Sequence, residues 1–211
     1  MDTLSHIHRF VPGADPAAAP LLLLHGTGGD ENDLLPLGRA LSPGAALVSP
    51  RGRVLEHGMP RFFRRIAEGI FDEDDVRRRA GELAGFVAGA RAAYGLGAPI
   101  AVGYSNGANI AAAVLLTHPG VLAGAVLIRP MQPLSSTEPV RLDGTPILML
   151  SGARDPIVTA DDVGGLAERF RAAGAAVDHR TLPTGHPLTQ ADVDIARAWI
   201  AEAAKAIDPV R

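Results

Sequence analysis

Ser105 lies in the pentapeptide Gly103, Tyr104, Ser105, Asn106, Gly107, which fits the pattern G-x-S-x-G. That pattern belongs to a sharp strand-to-helix turn whose strained backbone presents a serine hydroxyl as a nucleophile. Glycines flank the serine because strand and helix approach too closely there for side chains. Five-residue patterns recur by chance in a chain with 24 glycines, so the flanks decide. The apolar run Pro99 to Val102 reads as a strand, and the alanine-rich stretch Ala108 to Leu116 as a helix.

A serine hydroxyl is a weak nucleophile at neutral pH; it needs an adjacent base, and the base needs an orienting acid. Seven histidines compete for the role of base. His6 and His8 fall in a weakly strand-like N-terminal segment and His57 in an irregular one. His118 follows a helix leading away from the serine, and His179 lies inside an expected strand. His25 adjoins the glycine run Gly26, Gly28 and Gly29, whose use is to shape a pocket for negative charge. His186 remains, between Gly185 and Pro187 in a loop after the last expected strand. Among the acids, Asp155 follows the expected strand Thr145 to Leu150 and precedes Pro156, although aspartate before proline is also common in turns. Ser105, Asp155 and His186 then occur in the order Ser, Asp, His, the chain order of the α/β-hydrolase nucleophile-elbow enzymes. Acyl transfer also needs N–H donors where the carbonyl oxygen turns negative. The backbone N–H groups of Asn106 and Thr27 are the candidates for this oxyanion hole. A phosphate-binding reading of the glycine loop is disfavoured, since neither a P-loop lysine nor Rossmann glycine spacing is present.

Strands and helices must bring these residues together. Leu21 to Leu24 reads as a strand buried on both faces, feeding the loop His25 to Gly29. Asp30 or Asn32 is placed to cap a helix reaching Leu41, and Ala45 to Val48 is the next strand. Arg51 to Phe71 has no clean period yet holds Phe62, Phe63 and Phe71, half of the six phenylalanines. These three are the expected wall of a substrate pocket. The acidic block Asp72 to Asp75 opens a helix to Tyr94, where carboxylates suit the helix dipole and a solvated face better than a metal site. Ala123 to Ile128 and Ala176 to Leu182 are further strands; Asp161 to Ala173 and Gln190 to Ile207 are further helices. The alternation predicts a parallel sheet covered on both faces, with polar clusters gathered outside the carboxyl ends of the strands. No large lid fits in the chain.

Composition narrows the classes. At 211 residues the chain suits one domain spanning 1–211. A formal charge of −3 gives no general attraction to nucleic acid, and the longest apolar runs fall short of the ~18 residues of a membrane span. No cysteine is present, which removes disulfides, thiolate metal sites and a cysteine nucleophile. The first nine residues, with Asp2, His6, His8 and Arg9, lack a signal-peptide layout, so the expected setting is cytoplasmic. No metal or cofactor is expected.

Five segments, HGTGGDEND (25–33), RFFRRIAEGIFD (61–72), GYSNGAN (103–109), GARDPIV (152–158) and GHPL (185–188), resemble the phospholipase/carboxylesterase, acyl-protein thioesterase-like family of α/β-hydrolases, above all its bacterial hydroquinone-induced hydrolase branch. The resemblance implies a mostly parallel central sheet with helices on both faces. It implies Ser105 as nucleophile, Asp155 as acid and His186 as base, with the Arg61, Phe62, Phe63 and Arg64 loop bordering the substrate pocket, and such proteins are often homodimers. Thr159 stands where relatives commonly have proline, and Arg129 and Met131 are departures expected to alter the acyl pocket. Dienelactone hydrolases look similar in outline but use a cysteine. The implied activity is carboxylic ester hydrolysis on small to medium substrates; thioesterase, lysophospholipase and non-catalytic ligand-binding roles are the alternatives.

Overall fold

The computed structural model describes residues 4–206; Asp2 and the expected helix end at Ile207 lie outside the described residues. The chain runs β1 (His8–Val11), β2 (Leu21–Leu24), α1 (Leu35–Leu41) and β3 (Leu47–Pro50). Two hairpins follow, β4 (Val54–Glu56) with β5 (Met59–Arg61), and β6 (Arg65–Ala67) with β7 (Ile70–Phe71). Then come α2 (Glu73–Tyr94), β8 (Ile100–Tyr104), α3 (Asn106–Thr117), β9 (Gly124–Ile128), β10 (Pro146–Gly152), α4 (Ala160–Ala172), β11 (Ala176–Leu182) and α5 (Gln190–Ala206).

Seven strands form one sheet in the order β1-β3-β2-β8-β9-β10-β11. Only β1 runs antiparallel, pairing with β3 at the edge; the other pairs are parallel. Alternate residues of the central strands feed opposite cores. Leu22 and Leu24 pack with α2, α3 and α4, whereas Leu21 and Leu23 pack with α1 and α5. Helices therefore cover both faces, as the continuous apolar runs require.

The sheet elements match their sequence signals closely, and the segment 51–71 departs from them. It is built from hairpins of two- and three-residue strands, too short to show a period. Two expectations are corrected locally. Helix α1 begins at Leu35 behind Leu34, with Pro36 in its first turn and no side-chain cap, while Asp30 instead accepts from the N–H of Asn32 in a tight turn before it. The acidic block is also more than a solvated helix end. Asp72 caps α2 by accepting from the N–H of Asp75, and Asp75 is buried. It accepts from the backbone N–H of Arg64 at 2.8 Å and pairs with Arg78 and Arg79. Burial works against its charge, yet the Arg78 hydrogen bond and the Arg64 N–H hold the carboxyl below its ordinary range. Asp75 thus fastens the hairpin segment to α2.

Candidate active site

Ser105 sits between β8 and α3 with φ 52° and ψ −116°, a conformation that a non-glycine residue adopts only under strain. The surrounding glycines explain how the turn is tolerated. A Cβ on Gly107 would lie 1.9 Å from the Leu24 carbonyl oxygen, and one on Gly103 would lie 2.5 Å from the Gly107 oxygen. Strand β2 and helix α3 can meet only because position 107 has no side chain.

The loops after β10 and β11 come together over this turn. Gly152 permits the approach, since a Cβ there would lie 2.5 Å from the Gly185 oxygen. Backbone bonds from Ala153 to Leu182 and from Arg154 to Thr184 fix the two loops to each other. His186 is placed with Nε2 3.0 Å from Ser105 Oγ and Nδ1 2.8 Å from Asp155 Oδ2. The other Asp155 oxygen accepts from the N–H groups of Ile157 and Val158, so the fully buried carboxylate has acceptors matched on both sides. With Nδ1 facing an acceptor carboxylate, the ring keeps its proton there and offers a bare Nε2 to the hydroxyl. The imidazole is 16% exposed, open enough to meet a substrate.

Across the serine lies the loop after β2. Gly28 N–H donates to Pro60 O and Gly29 N–H to Gly26 O. Among the described residues no acceptor takes the Thr27 N–H, and Asn106, as the first residue of α3, has no preceding helical carbonyl to bond. His25 braces this loop from beneath. Its Nδ1 donates to Gly26 O at 2.7 Å, and its Nε2 accepts the Gly52 N–H at 3.0 Å. Burial pushes this imidazole below its ordinary pKa, which keeps it neutral and able to accept that bond. His25 therefore serves the loop's shape and is turned away from proton exchange at Ser105.

A cavity of about 280 Å³ opens on Ser105. Arg61, Phe71 and Met131 line it, as expected, beside Thr27 and Arg65, and so do Tyr104, Asn109, Glu68 and Ile157, which were not expected in the pocket. Phe62 and Phe63 do not: they are 3% and 0% exposed, buried in the core beside α2 and α3. They lie in the link between the two hairpins, whose backbone is tied to Asn106 and Asp75, and both rings turn inward while Phe71 stays at the wall, edge-on to Phe63. Arg61 and Arg65 share the carboxylate of Glu56, at 2.8 and 2.9 Å, and Arg65 also pairs with Glu68. The pocket's arginines are thus largely neutralised by their own hairpins. Two asparagines in the first turn of α3 hold its walls: Asn106 Oδ1 accepts the Phe62 N–H and Asn109 Oδ1 the Met131 N–H, both at 2.7 Å. Their signal in the sequence was amide side chains in an otherwise apolar helix. Arg129 is corrected as well, because it is fully buried and faces Asp192 rather than the acyl pocket. A larger hollow of about 670 Å³ lies at the opposite end of the strands, near Pro20, Ala98 and Pro146, far from this chemistry.

The chain matches the Dienelactone hydrolase family over residues 90–206, a span holding Ser105, Asp155 and His186. It is 46% identical over 185 residues to MhqD of Bacillus subtilis (strain 168), covering 87% of this chain and 92% of that protein. Among solved structures, a Bacillus cereus carboxylesterase is 43% identical with a TM-score of 0.92, covering 94% of this chain and 95% of its own. A Mesorhizobium loti carboxylesterase is 34% identical with a TM-score of 0.89, covering 95% and 97%. The resemblance read from the motifs agrees with these matches. The family match also reaches across the cysteine that set dienelactone hydrolases apart, with serine standing at the turn.

Proposed function

Since the chain belongs to the Dienelactone hydrolase family and is a hydrolase of the carboxylesterase type with the α/β-hydrolase fold, we propose that it cleaves carboxylic esters through an acyl intermediate on Ser105. The observation behind this reading is the continuous series Ser105 Oγ, His186 and Asp155, at 3.0 and 2.8 Å. His186 Nε2 takes the hydroxyl proton as Oγ bonds to the ester carbonyl carbon. The Thr27 and Asn106 N–H groups receive the oxygen that becomes negative. Collapse of that adduct breaks the bond to the alcohol, which leaves with the proton from Nε2. Water then attacks the acyl-serine, giving its proton to Nε2, and the second collapse releases the acid and returns the proton to Ser105. Asp155 holds the imidazole in its tautomer and stabilises the charged form throughout.

The pocket suits small to medium esters: its volume is modest, and apolar Phe71, Met131 and Ile157 face the ion-paired Arg61, Arg65 and Glu68. We extend the proposal to a cytoplasmic setting, in keeping with a chain without cysteine. Among the described residues no helix is long and apolar enough to cross a membrane. Steady-state hydrolysis of p-nitrophenyl esters from acetate to decanoate tests the reading. Short chains should be turned over best; failure to hydrolyse any of them, or a profile peaking at the longest chain, would contradict it.

A further inference from the structure

Among the described residues Arg129 is the largest fully buried side chain, and it directly follows β9 with φ 55°, in the left-handed region. A non-glycine residue held there by its surroundings stores strain, as Ser105 does one strand away. All five N–H donors of its guanidinium are used. Nε donates to Gly185 O at 3.0 Å and Nη2 to Pro187 O at 3.5 Å, the carbonyls on either side of His186. Nη1 donates to Leu150 O at 3.1 Å, at the end of β10. Nη1 and Nη2 together grip both oxygens of Asp192, at 2.8 Å each. Asp192, also fully buried, accepts in addition from the N–H and hydroxyl of Thr189 at the start of α5. The remaining carbonyl of the segment, that of His186 itself, accepts from Tyr104 Oη at 3.3 Å.

Three consecutive carbonyls, at 185, 186 and 187, are therefore turned back into the protein. That fixes the backbone from which the His186 ring reaches both Asp155 and Ser105. A fully buried ion pair is costly to desolvate relative to apolar packing, so stability alone does not account for this one. We propose that Arg129, fixed by Asp192, is the positioning residue that holds His186 in line between Asp155 and Ser105. Lysine cannot replace it, because an ammonium is a single point with three donors and lacks the planar fork.

The proposal rests on His186 acting as the base, and its test separates the two. kcat and KM for p-nitrophenyl acetate are measured below the melting transition for Arg129→Lys, for the double variant Arg129→Met/Asp192→Leu and for His186→Ala, with the downfield imidazole N–H proton resonance followed by NMR. The double variant replaces a buried pair by apolar groups, a change that is often neutral for stability. Folded Arg129 variants should lose about 10- to 100-fold in kcat, keep KM within about twofold and lose or broaden the downfield resonance. If His186→Ala keeps wild-type kcat, the base assignment has failed and the inference falls with it. Loss of activity in His186→Ala alongside wild-type kcat and resonance in a folded Arg129 variant overturns the positioning role alone. Failure of both Arg129 variants to fold would make the pair a scaffold element and also overturn it.

Discussion

The loops after β8, β10 and β11 and the hairpins of residues 51–71 face each other across one cavity, and they are built differently. On the first side the side chains behind Ser105 are densely paired: Asp155 accepts three hydrogen bonds, and Arg129 makes five. Close approaches of backbone, at Gly103, Gly107 and Gly152, leave no freedom of position. On the second side the strands are two or three residues long, the pocket arginines Arg61 and Arg65 pair with Glu56 and Glu68 of the same hairpins, and Leu55, Ile66 and Ile70 are 70%, 75% and 56% exposed. On the proposed acyl-serine route, chemistry that tolerates little displacement would sit on the rigid side, and the choice of acyl group would fall to the adaptable one.

Substitutions on the rigid side should act on kcat. Ser105→Ala is expected to lower kcat by at least about 10⁴-fold, while its thermal melting stays close to wild type. Full ester turnover in a folded variant would end the contrast at once. Gly107→Ala comes next, because its Cβ would lie 1.9 Å from the Leu24 oxygen. It should cost about 3 kcal/mol or more by urea denaturation, with activity falling alongside; a variant of wild-type stability would show that the turn is less constrained than its geometry indicates.

The adaptable side should respond in KM and substrate profile instead. Arg61→Met is expected to change kcat/KM for individual esters by about tenfold in either direction, with fluorophosphonate labelling of Ser105 little affected. An equal fall in kcat for every ester would place Arg61 on the rigid side. The last expected effect concerns pH and separates scaffold from site. Burial, with Arg53 nearby, lowers the His6 pKa from 6.5 to about 4. The unfolded chain therefore binds more protons between these values, so stability falls as pH drops from about 6.5 to about 4, by up to about 3 kcal/mol from this group. Buried His25 adds in the same direction. Urea midpoints at pH 7 and 4.5 for wild type and His6→Gln measure it, and the variant should lose less on acidification.

The same contrast explains what could be read from the sequence. Strand, turn and helix around Ser105 are local, and each strand after it ends in the residues that matter, so β8, β10 and β11 were legible with their polar exits. Edge strand β1 gave only a weak signal, being four residues half-covered on one side of the sheet. The hairpins gave none, because strands of two or three residues have no period, and aromatic content could not distinguish buried Phe62 and Phe63 from Phe71 at the wall. Arg129 was misread for a different reason. Its partner Asp192 is 63 residues away, on a helix whose packing only the fold supplies.

The most direct test of the acyl-serine route is intact-protein mass spectrometry after acid quench within milliseconds of mixing with a p-nitrophenyl ester, followed by peptide mapping. A single acyl adduct on the peptide containing Ser105, formed in a burst and absent from Ser105→Ala, is the expected result. Rapid turnover with no adduct, or an adduct mapped to another residue, would contradict it.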